Sequence, residues 1–370
     1  MQSYVCKGRR GQIESCLVSR YSRKCIAALE GYSPGEQPQN GEYIKLNTNE
    51  NPYPPSPRVG AALRKAAGGP LRLYPDPLAA DLRRLAAAAY GVKPENVLAG
   101  NGSDELLSIV VRCFIGKGDR VVYPVPTYTL YDTLITIQEG KKVTVNYPSD
   151  FSLPEALFNR AGAVTILCNP NSPSGTLLPL DQIRQLARRA SGILVVDEAY
   201  MDFAEGNGSS AIPLIRRLPN LVVLRSFSKS FSLAGMRIGL AFTAEEILRE
   251  MLKVKDSYNL NRLSTVSAIA ALKDMPWMSR NVKKIQKTRR ALALALEKLG
   301  FSIYPSQANF VMARKRNENL KGLYEKLKRR RILVRYFDEP GLRDALRITV
   351  GTPKEIKRLL GALTAIVKKS

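Results

Sequence analysis

Residues 225–239 read RSFSKSFSLAGMRIG and follow directly on the short apolar run LVVL at 221–224. An apolar run of this length is typical of a buried strand. Lys229 then has two serines on either side within three positions, and Arg237 follows eight residues later. These small neighbours leave space around the lysine, so the stretch predicts a strand end at which Lys229 faces a ligand and not a packed core.

Similar apolar runs recur through the first two thirds of the chain and alternate with segments of helical pattern. We interpret further buried strands at 120–123, 142–146, 164–168 and 193–196. The segments of helical pattern are 57–67, 77–90, 103–115, 127–138 and 180–190. Strands separated by helices predict an α/β fold, with a mostly parallel sheet covered by helices on both faces.

The pattern changes after residue 243. The chain becomes largely helical to about residue 300, with a long helix predicted near 277–299, and its last part mixes short strands with helices. This change predicts a second, smaller α/β domain at the C-terminus. We therefore expect an N-terminal extension and arm at 1–45, a large domain at 46–265 and a small domain at 266–370, with residues 1–30 weakly ordered.

Composition limits the chemistry and the location. The chain has 370 residues, five cysteines without metal-ligand spacing and no histidine. Histidine-based nucleophile pairs and histidine-ligated metals are therefore excluded, and acid–base work falls to lysine, tyrosine, a carboxylate or a cofactor. The odd cysteine count predicts reduced thiols, no metal and a cytoplasmic location. The apolar runs are too short to cross a membrane, and the N-terminus lacks the apolar stretch of a signal peptide.

The formal net charge of +25 favours anionic partners, which include nucleic acids and phosphorylated small molecules. A nucleic-acid-binding protein is one alternative that this charge raises. Such proteins carry a recognised module or basic residues interleaved with stacking aromatics. Aromatic residues make up 7% of this chain and its charge is dispersed, so the sequence favours a phosphorylated small molecule over nucleic acid.

A glycine turn follows the apolar run at 97–99 and reads GNGSDELLS from Gly100 onward. We predict that Ser103 caps the following helix, whose first amides would face an anion such as a phosphate. A dinucleotide-binding loop would need a third glycine, where this chain has Glu105. A capped helix without a ligand is the other interpretation of this motif.

Polar clusters also follow three other predicted strands. NPNSPSGT begins at residue 169, DEAYMDF begins at Asp197, and the third cluster is the stretch around Lys229. In parallel sheets, ligands bind beyond the carboxyl ends of the strands. A lysine can hold an aldehyde, a carboxylate can keep a ring nitrogen protonated, and an arginine can neutralise a phosphate. The set together favours pyridoxal 5'-phosphate as the cofactor.

In its motifs the chain resembles the fold-type I pyridoxal-phosphate aminotransferases from about residue 32 to residue 352. The motifs, in the order of that family, are LNTNENPYPPSP, YPDP, NGSDE, PTYTLY, NPNSPSG, DEAYMDF, SFSKSFSLAGMRIG and LRITVGT. The branch of this family with the most similar motifs acts on a phosphorylated amino alcohol. Its second substrate and product are 2-oxoglutarate and glutamate. The resemblance also implies a homodimer with shared active sites.

The resemblance assigns roles residue by residue. It makes Lys229 the catalytic residue that bonds the cofactor aldehyde and moves the proton. It also implies that Tyr74 reaches the cofactor phosphate in the active site of the partner subunit. The implied cofactor contacts are Tyr74, Gly102, Ser103, Asp104, Tyr128, Asn171, Asp197, Tyr200, Ser226, Ser228 and Arg237. The implied substrate contacts are Tyr32, Arg335 and Arg347.

The sequence departs from the family pattern before Pro173. The family has asparagine directly before this proline, where this chain has Ser172, with Asn171 one position earlier. Either residue could contact the ring hydroxyl of the cofactor. Two other activities of the same fold, a threonine-phosphate decarboxylase and an aromatic or broad-specificity aminotransferase, would use the same lysine, aspartate and arginine.

Overall fold

A computed structural model describes residues 4–7, 13–16, 19–29, 31, 35–38, 42–206 and 210–367. The strands of this part of the chain are β1 (Tyr4–Lys7), β2 (Ile13–Cys16), β3 (Ile44–Leu46), β4 (Val97–Gly100), β5 (Arg120–Val125), β6 (Lys141–Asn146), β7 (Val164–Cys168), β8 (Ile193–Asp197), β9 (Leu221–Ser226), β10 (Gly239–Thr243), β11 (Ser302–Ile303), β12 (Phe310–Arg314), β13 (Ile332–Tyr336) and β14 (Ala345–Thr349). The α-helices are α1 (Lys24–Ala27), α2 (Pro57–Ala67), α3 (Ala80–Tyr90), α4 (Ser103–Phe114), α5 (Leu130–Ile137), α6 (Leu180–Arg189), α7 (Glu245–Val254), α8 (Arg262–Leu272), α9 (Met275–Lys298), α10 (Lys321–Arg329) and α11 (Pro353–Val367).

A seven-stranded sheet forms the centre of the molecule, in the order β4-β10-β9-β8-β7-β5-β6. Its neighbours pair in parallel except at β10, which runs antiparallel to both β9 and β4. The carboxyl ends of β7, β8 and β9 therefore meet at one edge of the sheet, where Cys168 pairs in register with Asp197. This confirms the predicted mostly parallel sheet.

Side chains of each central strand alternate between two separate hydrophobic clusters. In β8, Leu194 and Val196 join one cluster and Ile193 and Val195 join the other. Apolar residues of α3, α6 and α8 complete the first cluster, whereas those of α4, α5 and α7 complete the second. Because successive side chains of a strand point to opposite faces, helices cover both faces of the sheet, as the sequence predicts.

A second sheet has five strands in the order β11-β12-β14-β13-β3. Its pairs are antiparallel except for β13 and β3, which are parallel. β3 lies at residues 44–46, across the boundary that we expected at 45/46, and it pairs with a strand almost three hundred residues later in the chain. The N-terminal part thus contributes the edge strand of the C-terminal sheet, a long-range pairing that local sequence pattern does not reveal.

Most predicted elements occur close to their predicted bounds. The largest differences are at two helix starts, since α3 begins at Ala80 and α5 at Leu130, each three residues later than predicted. Part of the expected N-terminal extension forms the antiparallel pair β1 and β2 and the short helix α1. Within the described ranges, no helix is both long and apolar enough to span a membrane.

Candidate active site

A cavity of about 250 Å³ lies at the carboxyl ends of β7, β8 and β9, between the two sheets. Side chains from the start of α4 and from β13 and β14 also line it. The predicted site residues among its lining are Ser103, Asp104, Tyr128, Asp197, Tyr200, Ser226, Ser228, Lys229, Arg237, Arg335 and Arg347. Eleven side chains from distant parts of the sequence thus converge on one space.

Lys229 lies in the turn after β9 with its amine buried in this cavity. Its Nζ donates to the carbonyl oxygen of Thr48 at 3.3 Å and lies 5.7 Å from the centroid of the Tyr200 ring. Burial, and next the positive charge of Arg347, lower the pKa of Lys229 to about 8. Lys229 is therefore mostly protonated near physiological pH, but its neutral fraction is far larger than that of an ordinary lysine, which makes the amine a usable nucleophile and base.

Asp197 ends β8 and lies buried in the cavity wall. Its Oδ2 accepts a hydrogen bond of 2.9 Å from the Tyr131 hydroxyl, and its Oδ1 accepts one of 3.2 Å from the Ala199 amide. Burial raises the pKa of Asp197 to about 6, although the hydrogen bond from Tyr131 acts in the opposite direction. A cation beside this carboxylate would offset the cost of burying its charge.

Hydroxyl and guanidinium groups form the part of the cavity next to α4. Arg237 Nη1 donates to Ser228 Oγ at 3.2 Å, and Arg237 Nη2 donates to Asp104 Oδ2 at 2.9 Å. Arg237 has a left-handed backbone conformation with φ of 50°, which is strained for a residue other than glycine. Because an ionised carboxylate cannot donate a hydrogen bond to an anion, the Asp104 side chain orients Arg237, and only the backbone amide of Asp104 could contact an anion.

The start of α4 corrects one prediction. Gly102 and not Ser103 is the N-cap residue, and Ser103 is the first residue of the helix. Gly102 has φ of 86°, and a Cβ atom here would lie 2.7 Å from Arg237 Nη2. A Cβ at Gly239 would lie 2.6 Å from the Ser103 amide nitrogen, so two glycines let strand, helix and guanidinium approach closely. The first-turn amides thus border the cavity next to Arg237, a favourable place for an anion.

Two tyrosines line the cavity near Lys229 and Asp104. The Tyr200 hydroxyl accepts a hydrogen bond of 3.0 Å from Asn49 Nδ2. Tyr128 donates to Asp104 Oδ1 at 3.3 Å, and its ring lies edge-on to the Tyr131 ring at 5.6 Å between centroids. Neighbouring side chains therefore hold both phenols in place.

Arg335 and Arg347 project from β13 and β14 and form the other wall. Their guanidinium carbons lie 5.5 and 5.6 Å from the centroid of the Phe337 ring. Arg347 also donates to Ser172 Oγ at 2.9 Å and to the carbonyl oxygen of Asn47 at 3.1 Å. Two guanidinium groups over one aromatic ring form a positively charged wall that suits a phosphate or a carboxylate.

The turn after β7 places Asn171 and Ser172 in different surroundings. The Asn171 amide donates to the Pro126 carbonyl and to Ser174 Oγ, and its oxygen accepts from Thr127. Ser172 lines the cavity and Asn171 does not. This position favours Ser172 over Asn171 as the contact to the cofactor, and the role of Asn171 stays a prediction.

Two other predicted residues, Gly102 and Tyr74, do not line the cavity. Gly102 contributes through its backbone at the start of α4, and Tyr32 lies outside the described residues. Tyr74 is 77% exposed and stacks on Tyr258 at 4.4 Å between ring centroids. An exposed tyrosine pair outside the cavity is compatible with the predicted contribution of Tyr74 to a partner subunit.

Sequence reasoning missed several residues that complete the site. Asn49 bonds to Tyr200 across 151 residues of sequence, and the carbonyl of Thr48 bonds to Lys229 across 181 residues. Tyr131 bonds to Asp197 across 66 residues. All three lie inside motifs that the resemblance used, LNTNE and PTYTLY. The motifs gave the signal, but no local pattern shows which of their side chains turns toward the site.

Comparisons with known proteins agree with this geometry. The family described as aminotransferase class I and II matches residues 41–363 of the chain. Histidinol-phosphate aminotransferase 1 of Trichormus variabilis is 44% identical over 353 residues, which are 95% of this chain and 100% of that protein. Histidinol-phosphate aminotransferase of Syntrophotalea carbinolica is 45% identical over 345 residues, which are 93% of this chain and 99% of that protein.

A solved structure is similar over the same extent. Histidinol-phosphate aminotransferase from Sinorhizobium meliloti, in complex with pyridoxal-5'-phosphate, has a TM-score of 0.87 and 26% identity. The match covers 95% of this chain and 98% of that chain. L-threonine-O-3-phosphate decarboxylase from Porphyromonas gingivalis has a TM-score of 0.79 at 23% identity, which shows the fold alone.

Proposed function

The chain belongs to the aminotransferase class I and II family, and on that premise we propose that it transfers the amino group of L-histidinol phosphate to 2-oxoglutarate. The reaction exchanges an amino group and a hydrogen for a keto oxygen, so the products are imidazole acetol phosphate and glutamate. This reaction belongs to histidine biosynthesis. Relatives named histidinol-phosphate aminotransferase, at 44% and 45% identity over more than nine tenths of the chain, support the choice of substrate.

One observation carries the proposal. The cavity holds a buried lysine with a lowered pKa together with a buried aspartate and an arginine beside a helix N-terminus. A nucleic-acid surface has no need of a buried amine. A transaminase needs all three, because its cofactor presents an aldehyde, a ring nitrogen and a phosphate.

The residues fit pyridoxal 5'-phosphate by their chemistry. Ser226, Ser228, Arg237 and the first amides of α4 would hold its phosphate, and Asp197 would pair with its ring nitrogen. When bound, the cofactor supplies an aldehyde for the amino group and a protonated ring that withdraws electrons. The raised pKa of Asp197 is consistent with this role, since its carboxylate has no ion pair among the described residues and a protonated ring would provide a cationic partner.

The protein side of the reaction follows from the positions of three side chains. The lowered pKa of Lys229 leaves a fraction of the amine neutral and able to accept a proton at Nζ, and the hydrogen bond to the Thr48 carbonyl holds the amine in the cavity. Arg347 and Arg335 would bind the phosphate of one substrate and the carboxylates of the other, since guanidinium groups recognise both anions. One charged wall could therefore serve both halves of the reaction.

We further propose that the active enzyme is a homodimer in which Tyr74 reaches the phosphate of the partner subunit. Its exposure, and its stacking on Tyr258, support this role. The division into a large and a small domain remains a proposal, with 44–46 assigned to the C-terminal sheet. A cytoplasmic location is favoured by Cys25, Cys113 and Cys168, which form no disulfide within the described residues.

The first experiment tests the cofactor assignment. The purified protein with pyridoxal 5'-phosphate should absorb visible light, and borohydride reduction should leave the cofactor mass on the peptide that contains Lys229. Lys229→Ala should lose both signals, whereas Lys253→Ala, on the surface of α7 and paired with Glu250, should keep them. Adduct formation that persists in Lys229→Ala would contradict the proposal.

The second experiment tests the substrate. Single-turnover bleaching of the cofactor absorbance is compared for histidinol phosphate, phenylalanine and threonine phosphate. The proposal expects the fastest response with histidinol phosphate. A faster response with phenylalanine would indicate an aromatic aminotransferase, and carbon dioxide release from threonine phosphate would indicate a decarboxylase.

A further inference from the structure

A buried ion cluster joins the ends of β8 and β9 beside the cavity. Arg225, the residue before Ser226, donates from Nη1 to Glu198 Oε2 at 3.0 Å and from Nη2 to Asp202 Oδ1. Glu198 directly follows Asp197, and its amide donates to the carbonyl of Leu224 at 2.9 Å. The cluster therefore ties together the two strands that carry Asp197 and the lysine turn.

Ser230 connects this cluster to the lysine turn. Its hydroxyl donates to Asp202 Oδ2, the carboxylate oxygen that Arg225 does not use. Ser230 directly follows Lys229 and is buried. From the other side, Asn51 Nδ2 donates to the carbonyl oxygens of Lys229 at 3.0 Å and of Ser230 at 3.1 Å. The turn is thus held from two sides, and the Ser230 hydroxyl is its side-chain link to the cluster.

We propose that Ser230 is a positioning residue for Lys229, which acts by fixing the lysine turn to the Asp202–Arg225–Glu198 cluster so that the amine stays buried in the cavity. This inference rests on the proposed function of Lys229 and adds a residue to it. Ser230 does not line the cavity, so it acts through Lys229 and not on a substrate or cofactor.

The cluster is rigid enough for this role. Glu198 Oε1 accepts from the Ala211 amide at 2.6 Å, and its Oε2 also accepts from Ser210 Oγ at 2.7 Å. Glu198 and Arg225 are both buried, and buried charges are costly to separate from their partners. A hydroxyl bonded to such a carboxylate is fixed more firmly than one bonded to a mobile surface group, because charge-assisted bonds are the stronger kind.

The position of the turn controls the environment of the amine. Burial is the main cause of the lowered pKa of Lys229. The charged groups that influence the amine are Arg347, Asp104, Glu50 and Arg237, and the Tyr200 ring also lies beside it. Without the Ser230 hydroxyl the turn can relax and water can reach the amine, so the pKa of Lys229 should rise toward its ordinary value of 10.5.

The test compares Ser230→Ala with Ser232→Ala in the full-length protein after removal of cofactor. Ser232 lies in the same turn, and within the described ranges its buried hydroxyl has no hydrogen-bond partner. The rate of adduct formation with added pyridoxal 5'-phosphate is followed by visible absorbance from pH 6 to pH 10. Each rise of one unit in the lysine pKa removes about nine tenths of the neutral amine near pH 7, so Ser230→Ala should react about tenfold more slowly there.

The expected result is a pH midpoint for adduct formation that is higher in Ser230→Ala than in the wild type and unchanged in Ser232→Ala. Asp202→Asn, which removes the charged acceptor, should shift the midpoint in the same direction. Equal midpoints and rates for Ser230→Ala and Ser232→Ala would overturn the inference, even if Ser230→Ala unfolds at a lower temperature. A wild-type protein that forms no adduct at Lys229 would instead refute the proposed function, so the two failures are distinguishable.

Discussion

The Tyr131 hydroxyl donates a hydrogen bond of 2.9 Å to Asp197 Oδ2, and both groups are buried. Asp197 ends β8, whereas Tyr131 lies in the first turn of α5, 66 residues earlier. The same tyrosine packs edge-on against Tyr128, which lines the cavity. One phenol therefore supports both the predicted partner of the ring nitrogen and the predicted stacking residue.

Tyr131→Phe should weaken cofactor binding while preserving the packing of the ring. The hydrogen bond from Tyr131 lowers the pKa of Asp197, so its loss should move that pKa above about 6 and leave less carboxylate at pH 7. We expect kcat/KM to fall about tenfold at pH 7, the scale of one charge-assisted hydrogen bond, with partial recovery at pH 8.5. Tyr147→Phe is the matched control, because within the described ranges the buried Tyr147 hydroxyl has no hydrogen-bond partner. An equal loss in both variants would contradict the role of Tyr131.

Lys229→Met should stabilise the cofactor-free protein. The folded protein releases the lysine proton near pH 8, whereas the unfolded chain keeps it to about pH 10.5. The unfolded chain therefore binds more protons between these values, and the wild-type free energy of unfolding should rise with pH across this window. At pH 7 the variant should gain about 2 to 3 kcal/mol over the wild type, since each pKa unit corresponds to about 1.4 kcal/mol.

Chemical denaturation of the cofactor-free proteins at pH 7 and pH 10.5 measures this difference. It should nearly vanish at the higher pH, because both side chains are then neutral. Lys253→Met, at a surface position of α7, should show no such pH dependence. A Lys229→Met variant less stable than the wild type at pH 7 would show that the buried amine is not destabilising.

Arg347→Lys should reduce turnover of both substrate pairs. Lysine cannot reproduce the planar set of donors with which Arg347 reaches Ser172 and Asn47 and faces the cavity. We expect kcat/KM to fall about 100-fold for histidinol phosphate and for 2-oxoglutarate, the scale of breaking a buried charge-assisted contact. Steady-state kinetics with each substrate varied in turn measures this. Arg343→Lys, at an exposed position paired with Asp338, should be unchanged. A loss confined to one substrate would assign Arg347 to that half-reaction alone.

Gly102→Ala should impair phosphate binding through Arg237. The left-handed φ of 86° disfavours alanine, and the new Cβ would lie 2.7 Å from Arg237 Nη2. We expect a loss of about 1 to 2 kcal/mol in the free energy of unfolding from the backbone strain, together with weaker cofactor affinity in an equilibrium titration. Gly361→Ala, in α11 with open space at its Cβ, should keep full affinity. Unchanged cofactor affinity in Gly102→Ala would show that Arg237 does not bind the phosphate.

Mixed dimers test the contribution of Tyr74 to its partner. Tyr74→Ala and Lys229→Ala should each be nearly inactive as pure proteins if Tyr74 completes the site of the partner subunit. After denaturation and refolding as an equal mixture, half of the dimers would contain one subunit of each variant. Each such hybrid has two active sites, of which one is intact. Activity should then recover to about a quarter of the wild-type value. A mixture as inactive as its components would contradict shared sites.

The sequence predicted the chemical groups of the site because they follow one rule of the fold. Asp197, Ser226 and Lys229 lie at or just after strand ends that local apolar runs already mark, and parallel strands bring those ends to one edge. The helix cap was predicted at Ser103, one position too late, because Gly102 with its positive φ ends the preceding turn. The sequence left Asn171 and Ser172 as alternatives, because only the folded turn shows that the Asn171 amide bonds to Pro126, Ser174 and Thr127.

By itself, the sequence determined the α/β alternation and the order of the strand-end motifs, and it predicted Lys229 as the reactive amine, because these depend on patterns within a few residues. Only the tertiary structure decided what surrounds that amine. β3 pairs with β13, Thr48 and Asn51 reach the lysine turn from the N-terminal part, and Asp202 holds Ser230 through a buried ion cluster. Contacts over such separations depend on how whole strands and helices pack, and so no local pattern in RSFSKSFSLAGMRIG could reveal them.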